Sequence, residues 1–149
     1  MGEEVEIERE LVEGHEEEEF EPGAGAHGIG VFVGGSDEIG DKEGYVVGLD
    51  YGYRVTDDVG VGAFLEFVSG IDRSAATGFQ SYWVSPIDVV LFAGAGFERK
   101  DSEWEPILRV GIEYEIVMTS GWILAPSIFY DWGEDSDVLL YGFTFGRFF

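Results

Sequence analysis

Along residues 104–117 two kinds of side chain take strict turns. One parity reads Trp104, Pro106, Leu108, Val110, Ile112, Tyr114 and Ile116; the other reads Glu105, Ile107, Arg109, Gly111, Glu113, Glu115 and Val117. A period of two places successive side chains on opposite faces of an extended strand, whereas a helix would mix these sets around its circumference. The segment therefore has one continuous apolar face, with aromatics near its ends, and one face that is charged or small.

The same split recurs. Residues 138–149 set Leu139, Tyr141, Phe143 and Phe145 against Leu140, Gly142, Thr144 and Gly146. Residues 121–132 set Trp122, Leu124, Pro126, Ile128, Tyr130 and Trp132 against Ile123, Ala125, Ser127, Phe129 and Asp131. Residues 44–55 and 59–69 follow suit, with Tyr45, Val47, Leu49, Tyr51 and Tyr53 opposed to Gly48, Asp50, Gly52 and Arg54, and Val61, Ala63, Leu65 and Phe67 opposed to Gly60, Gly62 and Glu66. Strands are expected at 27–35, 44–55, 59–69, 78–85, 87–99, 103–117, 121–132 and 138–149. The fourth separates its faces least. After the first strand the connections read as alternately longer and shorter.

Which face points inward decides the class. An eight-stranded barrel has an interior only just wide enough for side chains to fill. Five to seven bulky residues per strand would overflow it, and the glycines would be left outside packing nothing. The inverted arrangement fits: apolar and aromatic residues toward lipid, small and charged residues in the lumen, with aromatics near strand ends at the membrane interfaces. The expected fold is all-β, an eight-stranded antiparallel up-and-down transmembrane β-barrel with a disordered acidic N-terminal tail. Residues 1–26 form the tail, with eleven Glu and one Arg ahead of Pro22 and Gly23; so acidic a block buries too little apolar surface to order itself. Residues 27–149 form the barrel. With an even strand count both termini lie at one end, expected to be periplasmic.

Charge and residue inventory exclude several functions. A net charge of −23 repels nucleic acid and anionic lipid surfaces; its plainest reading is solvation. There is no Cys, so no disulfide or thiolate chemistry is available. The first ten residues, MGEEVEIERE, lack the basic start and apolar core of an export signal, and a mature form is expected. Gly60-Val-Gly62 and Gly94-Ala-Gly96 lack the strand-to-helix setting and the Lys of a phosphate loop; they read as lumen residues that let the wall curve.

By parity the lumen holds Asp50, Arg54, Glu66, Glu98, Glu105, Arg109, Glu113, Glu115 and Asp131. Buried charges must be paired, and the planar fork of Arg suits carboxylates. Arg109 is expected to meet Glu66, Glu98 or Glu113 as a polar plug tying strands together. Because acids outnumber Arg, divalent cations such as Ca²⁺ or Mg²⁺ are a second reading, though no metal ligand set and no cofactor are assigned. His15 lies in the tail and His27 begins the first strand at the periplasmic rim. Neither is placed for a Ser–His hydrolase in the wall, so no catalytic residue is expected. The expected role is structural or interactive, with a narrow ion or small-solute channel and a soluble barrel binding an apolar ligand as alternatives.

The terminal segment Tyr141-Gly-Phe-Thr-Phe-Gly-Arg-Phe-Phe149 resembles that of small bacterial outer-membrane β-barrel proteins. So do Phe92-Ala-Gly-Ala-Gly-Phe-Glu-Arg99 and Ile107-Leu-Arg-Val-Gly-Ile-Glu-Tyr114, and the resemblance spans roughly residues 27–149. It implies location in the outer membrane of a Gram-negative bacterium, contact with outer-membrane lipid, and insertion by the barrel-assembly machinery. That machinery would read Tyr141, Phe143, Phe145 and Phe149; Arg147 departs from an apolar position of the pattern.

Overall fold

The structure is a computed structural model and describes residues 23–149; the remainder of the expected tail, residues 1–22, lies outside the described residues. The strands are β1 (His27–Glu38), β2 (Lys42–Arg54), β3 (Val59–Ser69), β4 (Arg73–Val84), β5 (Val89–Lys100), β6 (Glu103–Tyr114), β7 (Ile116–Val117), β8 (Trp122–Trp132) and β9 (Val138–Phe148). Every pairing is antiparallel; neighbours in sequence pair up to β6, β8 pairs with both β6 and β7 and then with β9, and β1 pairs with β9 to close the sheet on itself. β6 and β7 are two pieces of one stave, so the barrel has eight.

The break between those pieces has a local cause. Glu113 pairs with Ser127 and Ile116 with Leu124 without any shift of register, which sets Tyr114 opposite Pro126. Proline has no N–H to offer the neighbouring strand, so the ladder lapses there and resumes beyond it.

The stagger of the barrel follows from the pairing. Stepping across the sheet from Gly28 leads through Gly52, Gly62, Gln80, Gly94, Arg109, Asp131 and Val138 and returns to the first strand at Glu38, ten residues further along. A closed sheet with that offset has strands tilted by about 35–45° from the barrel axis. Several of these positions are Gly because backbones come close: a Cβ on Gly62 would sit 2.3 Å from the Tyr51 carbonyl oxygen.

Polarity is inside out. Leu108, Phe67, Phe79 and Tyr45 on the outer face are 59–77% exposed. Arg54, Glu66, Arg73, Glu98, Arg109 and Asp131 are buried within. The exposed apolar residues occur on every long strand and form a continuous band, far more apolar surface than a soluble monomer leaves in water. The band suits hydrocarbon, and closure suits it too, since a closed sheet leaves no unpaired strand edge. Among the described residues there is no helix.

Several expected boundaries are corrected. β1 runs to Glu38 and β2 begins at Lys42, so residues 36–42 are mostly strand and the turn is residues 39–41. β4 begins at Arg73, which turns most of the stretch left between the expected strands 59–69 and 78–85 into wall. β5 starts at Val89 and includes Lys100. The expected alternation of longer and shorter connections disappears: residues 39–41, 70–72, 101–102 and 133–137 at one end are as brief as 55–58, 85–88 and 118–121 at the other. The strands continue past the apolar band at the end away from the termini, and what reads as loop is polar strand.

The chain enters the barrel through a short clamp. The Gly25 N–H donates to the Arg54 carbonyl at 2.7 Å, and the Arg54 N–H to the Ala26 carbonyl at 2.9 Å. His27 and Phe149 exchange both backbone hydrogen bonds at 2.8 Å, which fastens the two chain ends together.

Candidate functional site: the charged lumen

Strand alternation puts alternate residues of every stave into the lumen, and tilt sorts them by height. Nearest the end away from the termini lie Glu38 of β1 and Lys100 of β5. Below them come Arg73 of β4 and Glu98 of β5. A third tier holds Glu66 of β3, Arg109 of β6 and Asp131 of β8.

These groups form one connected chain. The Arg73 Nε donates to Glu98 Oε1 at 2.9 Å, and its Nη1 lies 2.8 Å from Asp131 Oδ2. The Arg109 Nε and Nη2 donate to Asp131 at 2.6 and 2.8 Å. Its Nη1 and Nη2 donate to Glu66 at 2.7 and 2.8 Å. Each carboxylate thus takes a two-bond fork from the same guanidinium. Above, the Lys100 Nζ donates to Ser136 Oγ at 2.6 Å and Ser136 Oγ to Glu38 Oε2 at 2.9 Å. Lys100 Nζ also lies 3.4 Å from that carboxylate oxygen.

The underside of the network is aromatic. The Arg109 guanidinium lies 4.0 Å from the Phe64 ring centroid and 5.2 Å from that of Phe129, within reach of cation–π attraction. Phe32, Val46, Phe129, Val138 and Leu140 form a buried apolar cluster in the lumen. A bulky interior of this kind is compatible with the narrow bore because the glycines beside it take up no room.

Toward the termini the lumen differs. A cavity of about 70 Å³ is lined by Asp50, Glu113 and Glu115 together with Gln80, Tyr82 and Phe92. Glu113 is buried and accepts from Ser127 Oγ at 3.0 Å and Thr144 Oγ1 at 3.1 Å. Arg54 closes this end, with its guanidinium 5.6 Å from the Tyr82 ring and 5.5 Å from that of Phe148.

Of the residues selected from sequence, Glu66, Arg109 and Asp131 come together, and Glu98 joins them through Arg73. Asp50, Glu113 and Glu115 share the cavity, Arg54 lies at its mouth, and Glu105 is half-buried. Neither Glu98 nor Glu113 is bonded to Arg109; Asp131 takes the place expected for them. Arg73, Lys100 and Glu38 were missed. All three lie in stretches whose polar, turn-like composition conceals a strand; Lys100 and Glu38 share parity with Glu98 and Ser36 once those strands are extended, whereas Arg73 reaches the lumen through a bulge between Arg73 and Ala75 that breaks the parity of β4. Tyr141, Phe143, Phe145 and Phe149 all lie exposed on the outside, and the Phe149 ring stacks on His27 with centroids 5.8 Å apart.

At the rim beyond the apolar band the Lys42 Nζ donates to Asp72 Oδ1 at 2.9 Å. That hydrogen bond, with the Asp72 charge behind it, holds the Lys42 ammonium above its ordinary pKa.

Solved structures share this architecture. The N-terminal β-barrel domain of Pseudomonas aeruginosa OprF superposes with a TM-score of 0.66 at 16% identity, covering 86% of this chain and 100% of that one. Ail, the attachment invasion locus protein of Yersinia pestis, crystallised with the heparin analogue sucrose octasulfate, gives 0.62 at 19% identity, covering 85% and 99%. A de novo designed transmembrane β-barrel gives 0.57 at 18% identity, covering 85% and 99%. The chain has the fold of the eight-stranded transmembrane barrels. No protein-family model and no curated protein matches the sequence.

Proposed function

We propose that this protein is an integral outer-membrane β-barrel with a structural or interaction role, its lumen filled by a charged side-chain plug and without catalysis. The observation that carries the reading is the reach of Arg109. It stands on β6 and binds Glu66 on β3, a strand three staves away around the wall, so the ion pair spans the bore. Phe64 and Phe129 pack against the same guanidinium and leave it no room to swing aside without breaking charged hydrogen bonds.

Outer-membrane location is supported by the inside-out polarity and by the likeness to OprF and Ail. The alternating aromatics ending at Phe149 support recognition of Tyr141, Phe143, Phe145 and Phe149 by the assembly machinery. The described residues enter and leave the wall at one end, and that end faces the periplasm in this reading. The connections at the other end are short, so what projects there beyond the apolar band is strand and not loop, which favours a wall-borne role over a loop-borne one. Ail's complex with a sulfated sugar does not transfer: a net charge of −23 repels such polyanions. The absence of catalysis is supported by His27, whose Nδ1 is hydrogen-bonded to the Tyr51 hydroxyl within an aromatic cluster at the terminal rim; His15 lies outside the described residues.

One observation favours a second reading, a narrow cation path: the cavity bearing Asp50, Glu113 and Glu115. Purified barrel in planar bilayers separates the two. The plug gives no conductance above that of the bare bilayer. Discrete, cation-selective openings would replace the plug by the channel. Apolar-ligand binding by a soluble form is tested by removing detergent; a monodisperse soluble barrel would overturn the membrane reading.

A further inference from the structure

We propose that Glu38, Asp41 and Asp72 form a binding site for a single Ca²⁺ ion at the rim remote from the chain termini. The site shares Glu38 with the top of the lumen network but does not depend on the function proposed above.

The backbone brings the three together. Glu38 ends β1, and the turn after it is closed by the Asp41 N–H donating to the Glu38 carbonyl at 2.8 Å, with Gly40 supplying the left-handed φ of 80°. Asp72 belongs to the next connection on the same rim and is drawn in by Lys42, which pairs with Glu38 in register. One carboxylate oxygen from each acid lies within 4.8 Å of the other two. Ca²⁺–oxygen bonds run about 2.3–2.6 Å, so oxygens with this spread can share one ion.

Like charges so placed repel, and Asp41 and Asp72 are exposed and could turn outward. Glu38 is held in place. It is 2% exposed, its Oε2 is taken by Ser136 and Lys100, and its Oε1 is buried with no hydrogen-bond partner among the described residues. A carboxylate oxygen removed from water and left without a donor is unfavourable. A cation at the point where the other two carboxylates converge satisfies it.

The donors select the metal. All three are carboxylates with no His among them, and the chain has no Cys; hard oxygen ligands suit Ca²⁺ or Mg²⁺ and not softer transition metals. Two ligands arise from flexible exposed side chains on different turns, which suits the tolerant geometry of Ca²⁺ better than the strict octahedron of Mg²⁺. Lys42 and Lys100 offset two of the three negative charges and set the affinity low, on the order of 10⁻⁴–10⁻³ M, as in exposed extracellular sites. The bound ion would join the β1–β2 and β3–β4 turns.

The test uses the full-length barrel, folded in an uncharged maltoside detergent, stripped with EDTA and dialysed against ⁴⁵Ca²⁺. One saturable ion per barrel is expected, with affinity at least tenfold weaker in Asp41→Asn/Asp72→Asn and at least tenfold weaker for competing Mg²⁺. Both substituted residues are exposed, and heat-modifiable gel mobility verifies that the variant folds. Glu103→Gln, exposed at the start of β6 on the opposite part of the rim, should bind as wild type does. Glu16, Glu17, Glu18 and Glu19 contribute a weak background equal in all variants. No saturable site, or equal losses in the Asp41/Asp72 and Glu103 variants, would overturn the proposal in favour of diffuse counterion attraction. Tighter binding of Mg²⁺ would overturn the choice of metal.

Discussion

Arg109 and Glu66 meet across the bore of the barrel through two parallel hydrogen bonds of 2.7 and 2.8 Å. Each belongs to a strand that makes no backbone contact with the other's. Their pairing is therefore a strut, one of the ties across the bore along with Arg73–Asp131 and Lys100–Glu38.

Arg109→Leu should destabilise the barrel by about 3–5 kcal/mol, because Glu66 and Asp131 are left buried with one guanidinium fewer. Urea unfolding in lipid vesicles measures this. A double-mutant cycle with Glu66→Gln should give a coupling well above 0.5 kcal/mol, as expected for residues sharing a network. Independent effects would mean that the strut carries no energy.

Leu108→Arg and Ile112→Arg test the outer face on the same strand. Both side chains are exposed and sit mid-wall, where a charge facing hydrocarbon costs about 2–4 kcal/mol. The same unfolding assay should register that loss for each. Changes of only a few tenths of a kcal/mol would place these residues in water.

The seam between first and last strands should be intolerant of even one methyl group. A Cβ on Gly34 would lie 2.0 Å from the Tyr141 carbonyl oxygen, and one on Gly142 would lie 2.1 Å from that of Val33. Gly34→Ala or Gly142→Ala should cost about 1–3 kcal/mol by overpacking. Hydrogen exchange should then show faster opening of β1 and β9 than of β4 and β5. Uniform loosening would mean that the seam is not the weak line.

Phe149→Ala separates folding from delivery. The ring is exposed and stacks only at the edge of the aromatic cluster with His27. Refolding into detergent should be nearly unchanged, while the outer-membrane fraction in cells should fall several-fold. Equal losses in both assays would assign Phe149 to stability instead of recognition.

Legibility of this molecule followed the membrane. Where hydrocarbon meets the wall, every second residue must be apolar, and the alternation through Leu108, Val110 and Ile112 made strand, face and inversion readable at once. Beyond the band that demand ceases. Arg73, between Asp72 and Ser74, and Lys100, before Asp101, lie in ordinary polar sequence, yet their backbones stay in the sheet and their side chains enter the lumen. The partner of Arg109 was obscure for another reason. Glu66, Glu98 and Glu113 all share the lumen face with it, and only the ten-residue stagger decides which acids stand at its height. Asp131 does so directly, being paired with Arg109 in register.

Closure through β1 and β9 also bears on how fast the barrel forms. Hairpins such as β4–β5 can assemble from local contacts, but the hydrogen bonds between His27 and Phe149 join points separated by nearly all of the described residues. Contacts of such sequence separation come with a large loop entropy and slow folding. Until they form, two strand edges stay unsatisfied in a medium that offers them no water. Assembly is thus expected to be a late, all-or-none event in which β9 completes the pairing of β1.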